Sequence, residues 1–266
     1  MKPHLKFTIL GCGSSGGVPR IGNLWGNCDP SEPKNVRSRC SLLVQKFNRE
    51  GVTSILVDTS PDMRNQLINA CVGILDGVIY THYHADHVNG IDDLRTIVLN
   101  RKSRLQVWAD KATQIRLFKS FDYVFDRIKG SDYPAILEMN TIVQNTEITG
   151  PGGSVNFKPI IVNHGNIDAL GFKVDNIAYV PDVFDIKDSS KKLLYNLEYL
   201  IIDALRYHPH SSHAHVEKTL NWISEFRPRK AILTNMNNDL DYTKLNSETP
   251  YNVTPAYDGL FFEIFE

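Results

Sequence analysis

Short apolar runs alternate with polar, glycine-rich and proline-rich stretches along the chain. Leu5–Leu10 reads as a strand, and the glycine-rich stretch Gly11–Gly17 follows it as a turn. Residues 18–39 are loop-like, with Pro19, Pro30 and Pro33. The apolar runs Cys40–Phe47 and Thr53–Asp58 are joined by Asn48, Arg49, Glu50 and Gly51, which predicts a hairpin. Pro61 sits at the start of a helical stretch to about Cys71, a position where its missing N–H costs nothing. Further strands are predicted near 76–80, 105–109, 136–149, 155–162, 170–174, 177–180, 199–203 and 230–234. Further helices are predicted near 91–100, 111–120, 188–197, 214–226 and 240–246. Hairpins first, then strands alternating with helices, imply an α+β protein of two sheets packed face to face and covered by helices. No repeat or low-complexity linker divides the chain, so a single domain over residues 1–266 is expected. Gly130–Pro134 is the best interruption, and residues 110–150 are the place for a variable flap.

Composition narrows the classes. The chain is 42% hydrophobic and 22% charged, ordinary values for a globular protein. A net charge of −1 gives no basic field to hold long nucleic acid, so a phosphate-bearing partner would have to be gripped locally. Cys12, Cys28, Cys40 and Cys71 show no C-x-x-C pairing, and no signal peptide or membrane-length apolar run is present. The expectation is a cytoplasmic protein without membrane contact. A homodimer is compatible with these numbers.

The chemistry concentrates in residues 80–90, YTHYHADHVNG. His82, His84 and His87 fall in one six-residue window together with Asp86, in a chain with nine histidines. Imidazole nitrogen and carboxylate oxygen suit Zn²⁺, Mn²⁺ and Fe²⁺. The window lies between a predicted strand and a predicted helix, where strand ends present active-site groups. His82 and His84 can serve one ion, and Asp86 and His87 a neighbouring one, as in two-metal hydrolases.

The block H-x-H-x-D-H resembles that of the metallo-β-lactamase superfamily of binuclear hydrolases. The resemblance extends over nearly the whole chain: LGCGSSGGVPR, LVDTSPDMRNQL, GIDDLR after the block, His164, AYVPD, HPHSSH and LTNMNNDLDY. GIDDLR is most similar to the phosphodiesterase branch that includes the phosphoribosyl cyclic phosphate hydrolases. The implied fold is a four-layer αββα sandwich with the site along one edge between the sheets. The implied ligands are His82, His84, Asp86, His87, His164 and a bridging carboxylate at Asp182. Asp58, ending its strand, is the group expected to orient the histidine loop. His213, just before a helix, is expected near the leaving group as general acid/base or phosphate contact, with His210 as the alternative substrate contact. Asp86 is expected to belong to the catalytic set as well as to the metal set.

Three features depart from simple expectations. Most superfamily members have histidine where LTNM places Asn235, so Asn235 is expected to be a weak ligand and the second ion to bind less tightly. Relatives often carry a cysteine cluster after the glycine loop for a structural zinc; here Cys28 stands alone, so two divalent ions, zinc or manganese, and no third structural zinc are expected. The segment Gly11–Gly16 matches G-x-G-x-x-G, but Pro19 disfavours the helix that a dinucleotide site needs. A plain turn is the simplest reading, and contact of its N–H groups with substrate phosphate is the other. The resemblance implies a phosphodiesterase acting on a small cyclic or nucleotide-like phosphate ester through a metal-bridged hydroxide. Two alternatives remain: a hydrolase of a carboxylic ester, thioester or lactam on the same scaffold, and a nucleotide- or metal-binding protein with little turnover.

Overall fold

The computed structural model describes residues 2–126 and 132–265. Gly130 and Ser131 of the expected interruption lie outside the described residues. The chain forms two compact units, one of residues 1–10, 41–156 and 261–266, the other of residues 11–40 and 157–260.

The first unit carries a seven-stranded sheet in the order Phe261–Phe265, His4–Gly11, Ser41–Phe47, Val52–Val57, Gly77–Ile79, Leu105–Ala109 and Leu137–Thr141. The predicted hairpin forms, with Leu42 opposite Val57 and Phe47 opposite Val52. Its turn closes because the Asn48 side chain accepts from the N–H groups of Glu50 (2.7 Å) and Gly51 (2.9 Å), as asparagine does in tight turns. From Val52–Val57 onward the strands run parallel. Parallel strands covered on both faces are continuously apolar, and Ile55, Leu56, Val57, Val78 and Ile79 are all buried. Met63 and Leu67 of the helix Met63–Asn69, and Leu94 and Ile97 of the helix Leu94–Arg101, belong to one buried cluster with Leu56 and Val78.

The second unit carries strands Asp185–Ile186, Gly153–His164, Ile167–Val174, Ile177–Val180, Tyr199–Asp203, Lys230–Thr234 and Val253–Pro255 in sheet order. Antiparallel pairing through Ile177–Val180 gives way to parallel pairing beyond it. The helix Val216–Phe226 buries Val216, Thr219, Trp222, Ile223 and Phe226 along one face.

Two predicted elements differ from those observed. The strand expected over 136–149 is two strands, Leu137–Thr141 and Thr146–Gly150. Thr146 Oγ1 accepts from the Val143 N–H (3.2 Å) and closes the turn between them. The helix expected over 188–197 ends at Lys191. Beyond it the N–H groups of Leu193 and Leu194 reach back only three residues, and Asn196 takes a left-handed backbone. Residues 253–255 and 261–265 add strands that the apolar pattern did not mark. Among the described residues no helix is long and apolar enough to cross a membrane.

Candidate metal and catalytic site

In the first unit the parallel strands end in the groups the sequence singled out. Asp58 follows Val52–Val57 with a left-handed backbone (φ 64°), a conformation that aspartate tolerates better than most residues. Thr59 donates its N–H to His87 O (2.9 Å), and Gly90 donates to Thr59 O (2.9 Å), so the segment after Asp58 is laced to the histidine block. A Cβ on Gly90 would fall 2.0 Å from Ser60 O, which only glycine allows.

Asp58 is buried and fully engaged. Oδ1 accepts from Thr81 N (2.7 Å), and Oδ2 accepts from Thr81 Oγ1 (2.7 Å) and from His87 Nδ1 (2.7 Å). Burial pushes its carboxyl above the ordinary value, and the His87 imidazole and the Thr81 bonds oppose that shift. The Thr81 hydroxyl has one proton, already given to Asp58, so it accepts from His82 Nδ1 at 3.0 Å. Both His82 and His87 therefore hold a proton on Nδ1, which in the neutral ring leaves the lone pair on Nε2. His82 packs against His84 and His87 with ring centroids 4.5 and 4.3 Å apart. His84 directly precedes the helical turn Ala85–Val88 and makes no side-chain capping bond to it, and Asp86 Oδ2 lies 3.6 Å from His87 Nε2.

In the second unit His164 ends the strand Gly153–His164 and donates from Nδ1 to Ser212 O (2.7 Å). A carbonyl only accepts, so His164 too holds a proton on Nδ1, which in the neutral ring leaves the lone pair on Nε2, the atom 3.4 Å from Asp182 Oδ2. Asp182 lies two residues beyond Ile177–Val180, and Asp203 ends the adjacent parallel strand. Asp203 Oδ2 accepts from Val183 N (3.0 Å) and from His213 Nδ1 (2.8 Å). Burial raises the Asp203 carboxyl, and the neighbouring His213 offsets part of the rise. His213 packs against His164 and His210, with centroids 4.6 and 5.2 Å apart. His210 accepts the Ser212 N–H on Nδ1 (3.2 Å), and burial lowers its basicity further than its cationic neighbours do. His208 and His215 take no part in this cluster.

Asn235 follows Lys230–Thr234, also left-handed (φ 59°). Its amide nitrogen donates to Asp182 Oδ1 (3.2 Å). The same nitrogen lies 3.1 Å from His213 Nδ1. Because that atom already donates to Asp203, the approach is a contact between two donors and no second hydrogen bond. Asn235 thus holds the carboxylate that the sequence marked as the bridge.

His82 and His84 of the first unit, and His164 and Asp182 of the second, are histidine and aspartate side chains of the kind that hold a metal ion. Neutral imidazoles with Nε2 lone pairs, beside a carboxylate, are the donor set that a transition-metal ion requires. Three contributors were absent from the sequence reading: Thr81, Asp203 and the Ser212 carbonyl. Asp203 carried the same sign as Asp58, an acid closing an apolar strand. Backbone carbonyls leave no such sign.

The family model of the beta-lactamase superfamily domain matches residues 53–236. The chain belongs to that family. It is 30% identical over 258 residues to an octanoyltransferase of Porphyromonas gingivalis (strain ATCC BAA-308 / W83), covering 96% of this chain and 51% of that protein. The chain therefore spans about half the length of this curated relative. Among solved structures, a new diphosphatase from the PhnP family superposes with a TM-score of 0.85 at 30% identity, covering 98% of this chain and 97% of that one. Human tRNase Z, short form, superposes at 0.65 with 16% identity over 97% of this chain and 98% of its own, a likeness of fold alone. The superfamily member described here has the metallo-β-lactamase fold, an α+β sandwich of mixed sheets flanked by helices, with a potential metal-binding site of histidine and aspartate residues.

The four cysteines are free, Cys12, Cys28 and Cys40 buried and Cys71 exposed. The turn after the first strand closes with Gly17 N donating to Ser14 O (2.8 Å), and no helix starts at Gly16, which removes the dinucleotide reading.

Proposed function

We propose that this protein is a metal-dependent phosphodiesterase of small cyclic or nucleotide-like phosphate esters, its two units working as one hydrolase domain. His82, His84, His164 and Asp182 would hold one divalent ion. Asp86, His87 and Asp182 would hold a second, with Asn235 contributing weakly or only by steadying Asp182. Such ions, when bound, supply Lewis acidity toward phosphoryl oxygens and a nucleophile at neutral pH. Zinc and manganese both suit the donors.

The chain's own groups do the rest. Asp58 and Thr81 fix the tautomers of His82 and His87. Asp203 fixes His213 with its proton on Nδ1, so that Nε2 can carry a second proton and deliver it to the leaving alkoxide. The ion pair with Asp203 stabilises the imidazolium while it carries that proton, the role a buried carboxylate plays beside any general-acid histidine.

The observation that carries this reading is the bonding that commits Nδ1 of His82, His87 and His164 and leaves each Nε2 as a ligand atom. Nearly full-length likeness to a diphosphatase supports phosphate over acyl substrates. The test pairs elemental analysis with turnover of bis(p-nitrophenyl) phosphate, a lactam and a thioester. Bound transition metal and preference for the phosphodiester are expected, both lost in His84→Ala. Metal-free protein that takes up none on reconstitution, or preference for the thioester, would overturn it.

A further inference from the structure

The glycine-rich turn is unused by the chemistry above, yet it is tied to it. Gly13 pairs in parallel with Met236. Ser14 donates its N–H to Met236 O (3.2 Å), and Met236 donates to Cys12 O (2.9 Å). Met236 directly follows Asn235, whose amide holds Asp182. The turn therefore lies along the strand end that presents the candidate site of the second unit.

Its glycines are not equivalent. A Cβ on Gly13 would lie 2.9 Å from Arg37 O, and Gly17 has a left-handed backbone (φ 62°), so both answer to chain geometry. Gly16 has an ordinary backbone. What its missing side chain admits is Arg20, whose Cγ and Nε lie 3.2 and 3.3 Å from where a Cβ would stand. Arg20 is exposed, and among the described residues its guanidinium has no hydrogen bond or ion pair. Arg39 reaches the same turn, its Nη1 3.9 Å from the Cβ position of Gly17. The N–H groups of Ser15 and Gly16, at the exposed tip, and the Ser14 hydroxyl also lack partners among the described residues. Successive N–H groups on a turn beside a planar guanidinium are a recurrent way to hold a phosphoryl group.

We propose that the Ser14–Gly17 turn and Arg20 form an anion subsite for a second phosphoryl group, making the preferred substrate an ester that carries two phosphates, such as a diphosphate diester. This rests on the phosphodiesterase reading. The scissile phosphate belongs with the metal ligands, and the second would sit beside it along the strand end bearing Met236.

The test uses the metal-loaded enzyme and two substrates, bis(p-nitrophenyl) phosphate and ADP-ribose, a diphosphate diester. The discrimination ratio, kcat/KM for ADP-ribose over that for the monophosphate diester, should fall about tenfold in Arg20→Met, as for one lost charge-assisted hydrogen bond. It should fall similarly in Gly16→Ala, which displaces Arg20, and recover in part in Arg20→Lys. The loss should lie in KM for ADP-ribose. Inorganic phosphate binding by chelator-treated protein, followed by calorimetry, should weaken in the same variants. Melting curves matching wild type establish that they fold. A wild-type enzyme without phosphodiester turnover, but with phosphate binding lost in Arg20→Met, would sink the functional reading and keep the subsite. Turnover with unchanged ratio and unchanged phosphate binding in both variants would sink the subsite and keep the function.

Discussion

Each unit places an aspartate–histidine pair, Asp58–His87 and Asp203–His213, at the end of a parallel strand, and the two pairs are engaged differently. Asp58 spends both oxygens, on Thr81 N, Thr81 Oγ1 and His87 Nδ1. Asp203 spends only Oδ2, on Val183 N and His213 Nδ1, and its Oδ1 has no hydrogen-bond partner among the described residues. His87 is fully buried, whereas the His213 side chain keeps 16% of its surface exposed. A carboxylate saturated by fixed donors holds its imidazole in one tautomer and one pose, which is what a metal ligand needs. A carboxylate with an oxygen to spare, beside an imidazole that reaches solvent, can respond when that imidazole gains and loses charge. One hydrogen-bond motif thus suits two tasks, ligand and proton carrier, according to what else the carboxylate accepts.

The sharpest way to break this comparison is His213→Ala. If His213 protonates the leaving group, esters of poor alkyl leaving groups should slow by about 10²–10⁴-fold, the usual worth of general acid catalysis. p-Nitrophenyl esters should suffer far less, and metal content should hold. Graded leaving groups measure it through kcat/KM. Uniform loss across the series would make His213 a phosphate contact, and loss of metal would make it a ligand.

A half-buried carboxylate, Asp258, serves as the control, because it has no imidazole. Asp258 accepts from Ser38 N, Ser38 Oγ and Cys12 N, and burial raises it to about 6. The folded state then holds the proton more tightly than the unfolded chain. Below about pH 4 both states are protonated and its contribution is complete. As pH rises from about 4 to 6 the unfolded chain ionises first, and stability falls by about 3 kcal/mol. Asp258→Asn should remove that slope in urea denaturation of chelator-treated protein between pH 4 and 7. A mutant retaining the full wild-type slope would assign it elsewhere.

Exchanging the carboxylates tests the division of labour directly. Asp58→Asn should weaken metal affinity by about 10–100-fold, the common cost of removing a ligand's hydrogen-bond partner. Asp203→Asn should leave metal affinity near wild type and lower kcat, most for poor leaving groups. Calorimetric metal titration and kinetics on both variants decide it. Equal metal loss in the two would mean that both pairs serve ligands.

Much of this was legible in the sequence because it is local. The histidine block, the strand-closing Asp58 and the asparagine turn of Asn48–Gly51 are set by neighbours a few residues apart. Asp203 bore the same strand-end signature as Asp58 but stood outside any histidine motif, so nothing nearby raised its meaning. The tautomer of His82 depends on Asp58, 23 residues away, taking the proton of the adjacent Thr81, and that of His164 on a carbonyl 48 residues away, partners that only folding brings. The strands at 253–255 and 261–265 are short edge-region pieces, and the apolar pattern does not distinguish them from loop.

Asn235 yields the smallest expected effect. Its place in LTNM marks it as a weak ligand, whereas its amide nitrogen holds Asp182 Oδ1 at 3.2 Å. Replacing it by histidine exchanges that donor for an imidazole that can face an ion. Two terms oppose the gain. Asp182 loses its amide donor, and histidine must adopt the left-handed backbone that Asn235 accepts at φ 59°. Asn235→His should therefore tighten a second ion by no more than about tenfold, or about 1.4 kcal/mol, with zinc gaining over manganese because imidazole favours it. Calorimetric titration of both proteins with each metal reads the second-site affinity. Equal affinities would mean that position 235 steadies Asp182 and faces no ion, leaving the second unit's contribution to His164, Asp182 and the proposed proton carrier His213.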